Sequence, residues 1–164
     1  MEQIRCFEKG TVENITSNTK YEAIKELIEK TIINSHIRNI KKLEKAIVER
    51  EKIQSTGIGN GIAVAHGRTD EVKKTMIVLG ISRRGIDYGS LDGNPVHFLF
   101  LIANPPDKQD DYLLALSSIV RVVSNKSFRD EILNITCPRK IERKFYKALR
   151  LYLNSNDHLA LQVV

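Results

Sequence analysis

At 164 residues the chain has the length of one domain with one sizeable core, and 41% hydrophobic against 28% charged residues is a soluble, globular balance. No run reaches the roughly 20 apolar residues of a membrane span, and two lone cysteines far apart in sequence, Cys6 and Cys137, with no CxxC pairing, favour free thiols over a disulfide framework or a zinc site. The net charge of +6 admits a nucleic acid, an acidic protein partner or plain solubility.

The opening MEQIRCFEKG has no apolar stretch behind its charges and is read as no secretory leader; with the unpaired thiols this points to a cytoplasmic protein. From Thr19 a capping box is expected, with Glu22 reaching back to the Thr19 backbone, and Ile24, Leu27, Ile28, Thr31 and Ile32 fall on one helical face. A second helix is predicted over 38–53, with Ile40, Leu43, Ile47 and Val48 inward. Gly57, Gly59 and Gly61 end helical character and form a glycine-rich turn.

There the period changes. Short strands are predicted at 62–64 and 76–82, and 87–94 reads as a turn-rich connection. The run 95–104, PVHFLFLIAN, is continuously apolar, as suits a central strand covered on both faces. Pro105 and Pro106 stop it. A helix over 110–123 should bury Leu113, Leu116, Ile119, Val120 and Val123, with Asp110 and Asp111 in its first turn favoured by the helix dipole. A shorter helix is expected at 125–133. After Pro138 another buries Ile141, Phe145, Ala148, Leu149 and Tyr152. The tail 158–164 reads as a last strand or a contact with another chain. These elements predict a single α/β domain over 1–164, a three-layer α/β/α sandwich with a mixed sheet, with 154–164 as a tail of open role.

The basic residues gather in two places, Lys41, Lys42 and Lys45, and then Arg139, Lys140, Arg143, Lys144, Lys147 and Arg150. Both are read as solvated helix faces. No aromatics interleave with the first as a base-stacking platform would need, which argues against nucleic acid. His36 and His158 read as surface residues and the two cysteines as packing thiols.

Chemistry concentrates in 49–67, EREKIQSTGIGNGIAVAHG. His66 stands at the end of a short strand among Gly61, Ala63, Ala65 and Gly67, where another macromolecule can come close. Neutral imidazole is nucleophilic near its ordinary pKa of about 6.5, so His66 is a candidate to accept a phosphoryl group without a separate base; from spacing alone the alternative is a structural histidine at a strand end. Backbone amides from Gly67 onward are candidates for an anion-binding nest. The glycines superficially suggest a dinucleotide turn, but that fingerprint follows a strand and opens a helix, the reverse of this order. No Walker lysine, serine elbow or metal-spaced cluster is present, and neither a cofactor nor a metal is expected.

Glu49-Arg50-Glu51, then Ser55-Thr56-Gly57-Ile58-Gly59-Asn60-Gly61, then Ile62-Ala63-Val64-Ala65-His66-Gly67 resemble the enzyme IIA domains of the bacterial phosphotransferase system, of the fructose/mannitol and nitrogen-regulatory class. Asp92-Gly93-Asn94-Pro95-Val96 and Ile102-Ala103-Asn104-Pro105 extend the likeness over roughly 3–150. The resemblance implies that His66 is the phosphoacceptor on its Nε2 atom, loaded by an HPr-type carrier, with the group passed to a IIB domain or used as a regulatory switch. It implies that Arg50 offsets phosphate charge and that Thr56 donates its hydroxyl to the same group. Ala65 stands where the family usually has proline, and Tyr112 where several members have a second histidine; His97, interrupting an apolar strand, is a candidate substitute, its other role being a core histidine bonded to backbone. The Ser55–Gly61 wording points to the nitrogen-regulatory branch. The rival function is a non-catalytic binding module of the same fold that holds a protein or nucleic acid on its basic surface.

Overall fold

The computed structural model describes residues 4–6, 12–31 and 37–155. Six strands form one mixed sheet: β1 (Ile4–Cys6), β2 (Val12–Asn14), β3 (Gly57–Gly59), β4 (Ile62–Arg68), β5 (Thr75–Ile86) and β6 (Val96–Asn104). The order is β1-β5-β6-β4-β3, with β2 also running along β5. β6 pairs antiparallel with β5 and parallel with β4, while β1 and β2 pair parallel with β5. Helices α1 (Lys20–Lys30) and α2 (Ile40–Ile53) cover one face, and α3 (Gln109–Ser124), α4 (Lys126–Asn134) and α5 (Pro138–Ser155) the other. The expected three-layer α/β/α domain is what forms.

Strand periodicity explains the two cores. Ile62, Val64, Phe98, Phe100 and Ile102 meet Ile119, Ile141, Phe145 and Leu149, whereas Ala63, Ala65, Leu99, Leu101 and Ala103 meet Ile24, Leu27, Leu43 and Ile47. Because β6 is buried on both faces, its residues need not alternate in polarity. Each large side chain so buried contributes about 1.5–3 kcal/mol relative to exposure.

Several local expectations change. β4 runs through His66 to Arg68 instead of stopping at Val64, and β5 reaches Ile86. The glycine-rich turn is a hairpin: Gly59 pairs with Ile62, and Asn60 and Gly61 both adopt positive φ, 55° and 74°, as a two-residue Asn-Gly turn requires. Thr19 makes no backbone cap. Its hydroxyl donates to Glu22 instead, at 2.6 Å, so the capping box closes side chain to side chain. On α3 the inward residues are Ala115, Ser118, Ile119, Val122 and Val123, while Leu113 and Val120 are 51% and 38% exposed. Cys137 is exposed, not a packing thiol. Ile32, His36, His158 and the tail expected as a strand lie outside the described residues, as does the Cys6 side chain. Among the described residues no helix is long and apolar enough to cross a membrane.

Candidate functional site

The outer edge of β4 is only partly covered. β3 pairs with it at Ile62 and Ala63, and the Val64 amide donates to the Thr56 carbonyl; from Ala65 onward none of the described strands lies on that side. The uncovered end opens a cleft of about 440 Å³ between the last turns of α2 and the start of α3. Ala46, Glu49, Arg50 and Ile53 form one wall, His66, Gly67, Arg68 and Asn104 the floor, and Tyr112 the other wall.

Alternation along β4 sends His66 and Arg68 toward the α3 side and Gly67 toward α2. A β-carbon on Gly67 would fall 2.8 Å from Ile47 Cγ1 and 3.0 Å from the Ile47 amide nitrogen, so its absence lets the α2 backbone close down beside His66. Gly67 is a strand residue opposite Ala103, and the Thr69 amide donates to the Asn104 carbonyl; the segment is extended ladder, not the nest expected from sequence.

The half-buried His66 ring has its Nδ1 3.1 Å from the Val64 carbonyl. A carbonyl only accepts, so Nδ1 carries the hydrogen, and the Nε2 lone pair has no protein partner among the described residues. Burial pushes the His66 pKa below its ordinary value, and the Arg50 and Arg68 charges push the same way, against the Val64 bond and Glu51. The net shift favours the neutral ring. Tyr112 packs on it with ring centroids 5.0 Å apart and planes tilted by 38°. Burial raises the Tyr112 pKa, which keeps its hydroxyl protonated as a donor.

The guanidinium of Arg50 reaches the cleft from the last turn of α2, where Nη1 donates to the Gln54 carbonyl at 3.1 Å. Thr56 does not reach it. Its hydroxyl donates to the buried carboxylate of Glu51 and lies 3.2 Å from the Tyr88 hydroxyl, while its amide donates to Glu51 at 2.9 Å. Lys20 closes this cluster with Nζ 3.1 Å from Glu51. Thr56 thus anchors the end of α2, and its donor hydrogen is already used.

His97 is also separated from His66. Register places Ile62 opposite Phe98 and His66 opposite Ile102, so His97 stands at the other end of the sheet, with Nδ1 2.7 Å from the Ser82 carbonyl. It is the backbone-bonded histidine of the two sequence alternatives; Tyr112 occupies the wall beside His66.

Sequence reasoning missed Arg68. The available signal was its i+2 spacing from His66, which puts both on one face of a strand. No group of three or more His, Cys, Asp or Glu able to hold a metal occurs among the described residues.

Residues 6–148 match the family "Phosphoenolpyruvate-dependent sugar phosphotransferase system, EIIA 2". The chain is 35% identical over 120 residues to the PTS system fructose-specific EIIABC component of Bacillus subtilis, covering 73% of this chain and 19% of that much longer protein. It is 30% identical over 115 residues to a nitrogen regulatory protein of Bradyrhizobium diazoefficiens, covering 70% of this chain and 74% of that one. In fold it is similar to the nitrogen regulatory protein IIA-Ntr of Neisseria meningitidis, with a TM-score of 0.76 at 22% identity over 88% of this chain and 97% of that chain.

Proposed function

Since the chain belongs to the EIIA 2 family of the phosphoenolpyruvate-dependent sugar phosphotransferase system, we propose that it is a phosphocarrier that accepts a phosphoryl group on Nε2 of His66 from an HPr-type phosphohistidine protein. The observation that carries this reading is the His66–Val64 hydrogen bond. It fixes the proton on Nδ1 and leaves Nε2 as the nucleophile in an open cleft flanked by two arginines.

The step needs no proton transfer. The Nε2 lone pair forms a bond to phosphorus as the donor's N–P bond breaks, and that electron pair returns to the donor ring. With Nδ1–H kept on the Val64 carbonyl, the phosphorylated ring is a cation, which makes Nε2 a good leaving group for onward transfer. Positioning and charge stabilisation then supply the catalysis, and Arg50 provides donors for the equatorial oxygens. Thr56 acts at one remove, by fixing the α2 end that bears Arg50.

Onward transfer goes to a IIB domain or the bound phosphate switches a regulatory contact. The Ser55–Gly61 wording supports the regulatory branch, while relatives of both kinds match. A second reading, a binding module, draws on α5. Arg139, Lys140, Arg143, Lys147 and Arg150 are exposed there, and the helix's one acidic residue, Glu142, is buried.

Incubation with labelled phosphoenolpyruvate, enzyme I and an HPr-type carrier tests these readings. Transfer predicts acid-labile label on the wild type and none on His66→Ala. No label on either, with salt-sensitive binding to nucleic acid, favours the module.

A further inference from the structure

A phosphoryl group entering the cleft brings two negative charges into a half-buried site, where water compensates them incompletely. Among the described residues, the cationic side chains lining the cleft are Arg50 and Arg68. Arg50 has one guanidinium nitrogen committed to the Gln54 carbonyl. Arg68 shares the strand face of His66, two residues on, and its side chain is exposed. Its Nη2 donates to the amide oxygen of Gln109, the first residue of α3.

That bond is a neutral acceptor serving a charged donor, weaker than what a phosphate oxygen offers the same guanidinium. Tyr112, on the next turn of α3, adds a hydroxyl donor but no charge.

We propose that Arg68 is a phosphoryl-binding catalytic residue, parked on Gln109 in the bare protein and turning to the oxygens of the group on His66 during transfer. This rests on the phosphocarrier reading. Arg50 approaches from the α2 wall and Arg68 from the strand, so the two cations hold the group from different sides and supply the second charge that Tyr112 lacks.

The test separates a ligand from a structural tie between β4 and α3. Arg68→Gln and Gln109→Ala both remove the Arg68–Gln109 bond, and only the first removes the cation. With an HPr-type phospho-donor, Arg68→Gln should lower kcat/KM for His66 phosphorylation about 100-fold, the usual size for one lost oxyanion donor. Arg68→Lys should recover part of the loss, and Gln109→Ala should be labelled at least as fast as the wild type. In the bare protein, NMR titration should show a higher His66 pKa in Arg68→Gln, because a neighbouring positive charge is gone. Equal losses in Arg68→Gln and Gln109→Ala would overturn the proposal in favour of a tie. A wild-type rate in Arg68→Gln would overturn it while leaving His66 as the acceptor. A wild type that takes no label would overturn the phosphocarrier reading and this inference together.

Discussion

Gly67 and Ile47 touch where a side chain on the strand would otherwise hold the helix away: the space for a Gly67 β-carbon is taken up by Ile47 Cγ1 at 2.8 Å and by the Ile47 amide nitrogen at 3.0 Å. The side chain of Ile47 can turn aside; its backbone cannot without moving α2. Gly67→Ala is therefore expected to cost about 1–3 kcal/mol by overpacking. It should also slow His66 labelling, because Ala46, Glu49 and Arg50 ride on the displaced helix. Thermal unfolding and the labelling rate, measured on one preparation, check both effects.

His66 should keep its nucleophilic form below the pH at which a free histidine charges. Burial, Arg50 and Arg68 all depress its pKa, so the initial rate of phosphorylation should hold steady as pH falls through 6.5 and decline only at lower pH. The same shift makes folding pH-dependent. Between the folded and unfolded pKa values the unfolded chain binds more protons, so the stability tied to His66 is complete above about 6.5 and is lost as pH falls toward the folded value. A titration of the His66 ring carbons gives the value directly. Arg50→Gln should raise it.

Glu51 supports the site without lining it. The residue is 2% exposed, and its carboxylate takes the Thr56 amide and hydroxyl as well as the Lys20 ammonium. Glu51→Ala removes one partner of a largely buried pair and strands the Thr56 donors, which should cost roughly 3 kcal/mol, the lower end for such a break because Lys20 keeps some contact with water. Chemical denaturation measures it. Thr56→Val, which keeps the shape and the amide bond, should cost less.

Tyr112 covers the ring of His66. Tyr112→Ala should bring the His66 pKa back toward its ordinary value by letting water in, whereas Tyr112→Phe should leave it depressed, since ring packing and not the hydroxyl excludes solvent. NMR titration of the two variants distinguishes the two contributions.

The residues that were legible in the sequence are those whose pattern is local. The apolar run of β6 and the place of His66 between small neighbours follow from adjacent letters, whereas Arg50 is singled out by the family resemblance. The Asn60-Gly61 hairpin is equally local, but among three glycines its two-residue turn signal is masked. What adjacent letters do not hold is register. His97 interrupts the very strand that pairs with His66, and only the pairing of Ile102 with His66 shows that the two histidines sit at opposite ends. α3 misled for another reason. It is apolar around much of its circumference, so Leu113 and Val120 competed with the true face, which Ala115 and Ser118 define by letting the helix pack closely. Thr56 was placed in the site by resemblance; the bonds to Glu51 that commit its hydroxyl are contacts between a helix end and the loop behind it.

The account turns on which ring nitrogen is free. Phosphorylating the ring-15N-labelled protein through an HPr-type donor and recording nitrogen–phosphorus couplings tests it in one spectrum. Phosphorus should couple to Nε2 of His66, with Nδ1 still protonated and hydrogen-bonded to the Val64 carbonyl. Phosphorus on Nδ1, or on any residue other than His66, would contradict it.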